Sequence, residues 1–283
     1  IPPQIIKDGI AEIVIIEGRV GNIKIDGSKW VKTSYIRNNI LKNNNIAKNN
    51  ILNINDLSKS MVEINDINYL KAKIILEKGQ ETGETDIVLD LKDRYPFKLS
   101  INWNNQGQDV IGLQRAGIYT SIDNLTGYGD KLWVNNTFAS RTYGLGTGYS
   151  VPLGYKGDKL LFSYTLSNTS LGKDYKSYNI DGKSHNFETA IIHPLFKGRN
   201  FNADVKIAFD MMHSRTTIYG DSDLNKYETR ALRTGISASK YDTFGRWYGD
   251  FTVSTGIPIL GATENKQYGH PDSVFVKFNP SIT

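Results

Sequence analysis

From Pro96 onward apolar and polar residues alternate with a period of two. Phe97, Leu99, Ile101 and Trp103 interleave with Lys98, Ser100, Asn102 and Asn104. Leu160, Phe162, Tyr164 and Leu166 repeat the pattern, and Ala203, Val205, Ile207, Phe209 and Met211 interleave with Asn202, Asp204, Lys206, Ala208 and Asp210. Trp247, Phe251 and Val253 share a face opposite Arg246, Tyr248, Asp250 and Thr252. About ten such segments follow one another, separated by Gly, Asp and Lys turns, which predicts antiparallel strands with one dry and one polar face.

Before residue 95 the pattern is mixed. Ala11–Ile16 is a β-branched run. Gly21–Asp26 alternates and stops at Asp26-Gly27, as a strand does. Thr33 or Ser34 is placed to cap a short helix carrying Ile36, Ile40 and Leu41, and the Asn-rich stretch around Asn43–Asn50 predicts a loop, because Asn is a poor helix former. Asn55 or Asp56 is placed to cap a second helix, in which Leu57, Met61 and Ile64 recur at i, i+4, i+7. Strands are predicted at Leu70–Glu77 and Thr85–Lys92. The order from Gly21 is β-α-α-β-β.

Composition changes at Arg94-Tyr95-Pro96: Ile, Lys and Asn give way to Tyr, Gly, Thr and Ser, and three of the four Trp lie beyond. A domain boundary is expected there. A soluble β-sandwich also alternates. Three features favour a membrane sheet. The segments run to about ten to fourteen residues, against about five or six for soluble strands. Aromatic residues gather near segment ends (Tyr95, Trp103, Tyr128, Trp133, Tyr149, Tyr155, Tyr219, Tyr241, Trp247), as an interfacial girdle requires. Charges interrupt the strands on one side, and Asp204, Lys206, Asp210, Arg230 and Asp250 are the residues expected to line a wet lumen.

Mean hydropathy is −0.40 and no apolar run reaches about 18 residues, so no transmembrane helix is expected. Strands cross with about ten residues and leave no such signal. The chain has no Cys, which removes disulfides and thiolate chemistry. A net charge of +5 over 283 residues, without a compact basic cluster, does not point to nucleic acid. The first residue is Ile1 and no signal-peptide core is present, as in a trimmed chain.

Enzyme chemistry finds no constellation. His185, His193, His213 and His270 lack metal-ligand spacing, so no metal and no cofactor are expected. Gly144-Leu145-Gly146-Thr147-Gly148 has no Lys-Ser/Thr and no helix after it, so strand glycine in a crowded lumen is the reading rather than a phosphate loop. Gly127-Tyr128-Gly129-Asp130 reads as a turn.

Six blocks stand in a fixed order: Asp8-Gly9 leading into Ile15–Val20; Leu52–Leu57; Thr82–Asp90; Asp93–Phe97; Asn124–Asp130; and Tyr149–Gly154. In these the chain resembles the outer-membrane transporters of two-partner secretion, the haemolysin secretion/activation proteins of the Omp85 superfamily. The resemblance implies an α+β POTRA domain (β-α-α-β-β) over residues 19–94, preceded at 1–18 by the end of another. An antiparallel transmembrane β-barrel would follow from 95 to 283, with about ten of sixteen strands and the family's Arg-Gly-Tyr loop beyond Thr283. It also implies a location in the outer membrane with the POTRA units in the periplasm. The work would be export, without ATP, of an unfolded exoprotein, a haemolysin or adhesin, and its activation. Partners would be that client and outer-membrane lipid. The client would add to an edge strand at Leu70, Lys71, Lys73, Ile74, Ile75 and Leu76, although for each side chain core packing or edge protection competes with client contact. An Omp85-type insertase is the alternative function, and a soluble β-rich binding module is the third reading.

Overall fold

The computed structural model describes residues 16–42, 44–65, 67, 69–153, 157–198, 200–220, 222–264 and 272–283. The strand expected from Ala11, almost all of the 1–18 unit, Asn43, the turn at Gly154–Lys156, and Arg199, Asp221 and His270-Pro271 lie outside them.

The small N-terminal unit contains β1 (Arg19–Asp26), α1 (Thr33–Tyr35) running into a π-helical turn (Ile36–Leu41), α2 (Ile54–Asn65), β2 (Leu70–Lys78) and β3 (Glu84–Asp93). Its sheet order is β1-β3-β2, with β1 parallel and β2 antiparallel to β3. The alternating apolar residues of the three strands meet the helices in one core of Val20, Ile36, Leu41, Leu57, Ile64, Ile87, Leu89 and Leu91. The other face of the sheet carries Lys24, Lys71 and Lys73, which are exposed, as one face of a two-layer unit should be.

Both expected helix caps are corrected. Lys32 precedes α1 and no side chain caps it. The first turn of α2 is capped by Asn53, whose Oδ1 accepts the Asn55 N–H at 2.9 Å. The cap therefore sits two residues before the position expected at Asn55. Asn45 and Asn49 adopt left-handed φ of 62° and 70° in the loop between the helices, a conformation that Asn tolerates better than most residues.

The rest of the chain is one ten-stranded antiparallel meander: β4 (Phe97–Asn104), β5 (Arg115–Asp123), β6 (Lys131–Ala139), β7 (Thr142–Leu153), β8 (Asp158–Ser170), β9 (Asp181–Lys197), β10 (Phe201–Ile218), β11 (Ser222–Asp242), β12 (Gly245–Gly256) and β13 (Val276–Ile282). Directly opposed residues point the same way, so the pairing register assigns every side chain to a face. One face carries Phe97, Leu99, Ile101 and Trp103, which are 43%, 56%, 69% and 66% exposed. Phe162, Phe187, Ile191, Ile207, Leu232, Ile236 and Phe251 continue it. The opposite face is polar, and Asp210 on it is 2% exposed. Exposed apolar and buried charged residues invert the soluble arrangement. The polar residues Glu188 on β9 and Asn279 on β13 line one cleft, so the sheet curls with its polar face inward.

Candidate functional site

Three regions carry the polar and accessible chemistry. The first is the outer edge of β2, which pairs only with β3 among the described residues. Backbone groups on that edge alternate. The Leu70 N–H donates to the Ile67 carbonyl, and the Ala72 N–H donates to Asn65 Oδ1 at 2.9 Å. Continuing the alternation, the N–H and C=O of Ile74 and Leu76 face the side on which no strand lies among the described residues. Leu70 is buried at 2% exposure and Ile74 packs on the core, so the Leu70 side chain is core and offers no outward contact. Ile75 and Leu76 are half exposed, on opposite faces of the strand. Lys71 and Lys73 are exposed on the solvent face. The usable edge is thus shorter than the sequence suggested and begins at Ile74.

The second region is the inner wall of the large sheet. Lys206 Nζ donates to both oxygens of Glu188, at 2.8 and 2.9 Å. Asp210 accepts from Arg233 at 3.3 Å and from Asn186 at 3.2 Å. Nearer the small unit, Asp123 is paired with Lys98 at 2.8 Å and Lys131 at 3.4 Å. Asp204, Lys206, Asp210 and Asp250 all stand on this inner face. Arg230 does not, and that expectation is corrected: it opposes Met211 and shares its face with Leu232, Thr234 and Ile236, the apolar side. The cation of β11 that reaches the inner wall is Arg233. Its odd-numbered parity with Gly235 and Ser237 was the signal that would have found it, as Glu188 would have been found by its parity with Asn186. Trp133, expected in a girdle, also turns inward. It opposes Gly148, where a Cβ would lie 2.6 Å from the indole. Gly146 and Gly148 of β7 therefore make room for an indole laid on the inner wall.

The third region joins the two units. The β5–β6 turn, 124–130, docks on the segment that opens α1. Asn124 adopts φ of 75°. Its Nδ2 donates to the Trp30 carbonyl at 2.6 Å, and its Oδ1 accepts the Gly129 N–H at 2.7 Å. The Lys32 N–H donates to the Gly127 carbonyl at 3.2 Å, and the Lys32 ammonium sits 4.0 Å from the Tyr128 ring centroid. Gly127 and Gly129 have φ of 90° and 80°, and a Cβ on either would strike Lys32 or Tyr35. Asp130, 1% exposed, accepts from the Thr126 N–H, the Thr126 hydroxyl and the Tyr149 hydroxyl at 2.9, 2.7 and 2.9 Å. On the other side of the joint, Asp93 accepts the Lys29 and Trp30 N–H groups at 2.7 and 2.6 Å. Trp30 packs edge-on against Tyr95, with ring centroids 5.2 Å apart. Burial pushes the phenols of Tyr69 and Tyr35 above their ordinary range, with nearby acidic groups adding to it. No group of three or more His, Asp or Glu placed to hold a metal ion occurs among the described residues.

The comparisons agree with this geometry. Residues 83–283 match the family model described as haemolysin secretion/activation protein ShlB/FhaC/HecB. The chain is 24% identical to the heme/hemopexin transporter protein HuxB of Haemophilus influenzae (strain 86-028NP), over 99% of this chain and 50% of HuxB. It is 25% identical to the outer membrane transporter CdiB of Dickeya dadantii (strain 3937), over 99% of this chain and 50% of CdiB. Among solved structures, CdiB from Escherichia coli superposes with a TM-score of 0.75 at 19% identity, covering 94% of this chain and 51% of that one. The chain spans about half the length of the curated relatives it matches.

Proposed function

Because the chain belongs to the haemolysin secretion/activation protein family, we propose that it is part of an outer-membrane transporter of two-partner secretion, whose small unit captures an unfolded exoprotein for export through the barrel. The observation that carries this is the union of a sheet edge that is unpaired among the described residues with a sheet that is apolar outside and charged inside. The small unit is a POTRA domain in this reading. Its edge at Ile74–Leu76 adds the client as an extra strand, and backbone hydrogen bonds supply affinity without demanding a client sequence. The groove between β2 and α2, at Ile74 and Leu76, takes alternate client side chains. The inner wall then offers the passing chain paired charges and Trp133 rather than a continuous apolar surface to which it would adhere. Folding of the client outside biases the movement, so no nucleotide is consumed. The barrel closes with sixteen strands, its apolar face meets outer-membrane lipid, and the POTRA domain stays in the periplasm.

The test is deletion of the gene followed by mass spectrometry of the medium and of the outer membrane. Loss of one large exoprotein, with other barrels at normal levels, supports dedicated export. Loss of several unrelated barrels overturns it in favour of an insertase. A second experiment places Leu76→Pro and Lys78→Pro in the full-length protein, which removes edge donors of β2 and leaves the core-packed Ile74 in place. Export is expected to fall about tenfold, from the loss of one or two net hydrogen bonds. Lys71→Ala and Lys73→Ala should leave it within about twofold.

A further inference from the structure

The strand register gathers three cations on the apolar side of the sheet, at the end far from the small unit. Arg215 of β10 stands directly opposite Lys183 of β9 and directly opposite Lys226 of β11. All three are exposed. Like charges directly opposed across a sheet are destabilising. Only Arg215 has an ion-pair partner, Asp223, with Nε to Oδ1 at 2.5 Å. Among the described residues no carboxylate pairs with Lys183 or Lys226. Asp181 accepts from the Ser170 hydroxyl, and Glu228, one row nearer the small unit, is bound to His213 and Arg230.

The height of this row on the sheet is as telling as its charge. On β8 and β9 the outward polar pair nearest the small unit is Asp158 and His193, paired at 2.5 Å, with Phe196 and Phe201 in ring contact on the same face below it. Between His193 and Lys183 the outward positions of β9 are Ile191, Thr189, Phe187 and His185. Ten residues of strand, from 193 to 183, rise about 33 Å along the strand axis. A strand tilt of about 40° brings that to about 25 Å along the membrane normal, the height of an outer-membrane apolar band. The three cations therefore lie one band-height above the His193–Asp158 pair and its flanking aromatic residues Phe196 and Phe201, at the level where head groups of the far leaflet begin.

We propose that Lys183, Arg215 and Lys226 bind the phosphate groups of a phosphorylated glycolipid in the outer leaflet, with its acyl chains lying down the face formed by Phe187, Phe209 and Leu232. The inference rests on the membrane-spanning reading given above. The ammonium groups supply point charges, and the guanidinium supplies a planar fork suited to phosphate oxygens. A free phosphate offers the same charge and no acyl chains, so the two sources separate experimentally.

The test uses the full-length protein reconstituted in bilayers of neutral phospholipid, with diphosphoryl lipid A added as the probe and retention measured by native mass spectrometry. The triple variant K183Q/R215Q/K226Q changes exposed side chains only. Its apparent affinity for lipid A is expected to fall about tenfold to a hundredfold, and dephosphorylated lipid A should bind the unaltered protein as weakly. Equal retention by the triple variant and the unaltered protein overturns the proposal. So does equal retention of dephosphorylated lipid A, or competition by millimolar inorganic phosphate as effective as that by lipid A. Protease protection and heat-modifiable mobility are read on the same samples. If the unaltered protein does not insert, the membrane-spanning reading fails and the lipid site with it. If it inserts without preferring lipid A, the lipid site alone is lost.

Discussion

Asn124 ties the small unit to the sheet, and its replacement has a calculable effect. Its amide holds two backbone groups that are distant in sequence, the Trp30 carbonyl and the Gly129 N–H, at 2.6 and 2.7 Å. It does so from a left-handed backbone conformation, φ 75°, and is 5% exposed. Asn124→Ala leaves both partners unmet at about 1–3 kcal/mol each and adds about 1 kcal/mol for a Cβ in the left-handed region. Asn124→Gly loses the same bonds but relieves the backbone, so it should cost about 1 kcal/mol less than Ala. Asn124→Asp keeps an acceptor for Gly129 but points a carboxylate oxygen at the Trp30 carbonyl, beside Asp123 and Asp130, and should be at least as damaging as Ala. Hydrogen exchange at the Lys32 amide, which is bonded to the Gly127 carbonyl across the same joint, reads undocking directly. A loss of about 3 kcal/mol speeds that exchange on the order of a hundredfold. The expected order is wild type slowest, then Gly, then Ala and Asp. If all three variants exchange like the wild type, the turn does not hold the joint and the reasoning is wrong.

Three further changes probe the other regions. Tyr69 is buried and its hydroxyl has no hydrogen-bond partner among the described residues, so Tyr69→Phe should be neutral or slightly stabilising by thermal melting. The raised phenol of Tyr69 stays protonated in the folded state while the unfolded chain ionises near pH 10. The wild type should therefore lose stability as pH rises above about 10, and Tyr69→Phe should flatten that loss. Arg233→Gln leaves Asp210 with only Asn186. It should cost about 1 kcal/mol, since the guanidinium is partly exposed, and shift ion permeability of the full-length protein in planar bilayers toward cations. Gly148→Val drives a side chain into the indole of Trp133 and should cost about 1–3 kcal/mol in urea unfolding, with a second change, Trp133→Ala, recovering most of it.

How much of this was legible in the sequence depends on the range of the interaction that decides each feature. Strand faces are set by period two within one segment, so Phe97–Trp103 and Asp204–Asp210 could be read directly, as could the β-α-α-β-β order of the small unit. Arg230 was misassigned although the information was local: it shares parity with Leu232, Thr234 and Ile236, while its neighbour in role, Arg233, shares parity with Gly235 and Ser237. Trp133 needed more than parity. An aromatic near a segment end fits a girdle, and only the pairing with Gly148 places it inward. The role of the 124–130 turn was beyond reach. Its glycines were readable as turn residues, but the Trp30 carbonyl that Asn124 meets is set by the packing of two units, which no local pattern encodes.

The inner wall also bears on how the outer cations should be understood. On the polar face Asp210 stands directly opposite Glu188, a like-charge pair of the kind that weakens a sheet. Each of these carboxylates is given its own cation from the adjacent strand, Arg233 for Asp210 one same-face row away and Lys206 for Glu188 two rows away. The same strands, β9 to β11, carry Lys183, Arg215 and Lys226 on the other face, where one carboxylate, Asp223, meets one of the three. Where a like-charge pair is enclosed by protein, counter-charges come from neighbouring strands. Where the cluster faces outward at the rim of the apolar band, two cations have no carboxylate partner among the described residues and are left for something outside the protein to neutralise. A solvated surface would screen them within a Debye length of about 8 Å, and a head-group layer adds fixed phosphates within that distance. The asymmetry between the two faces follows if the missing anion is a lipid.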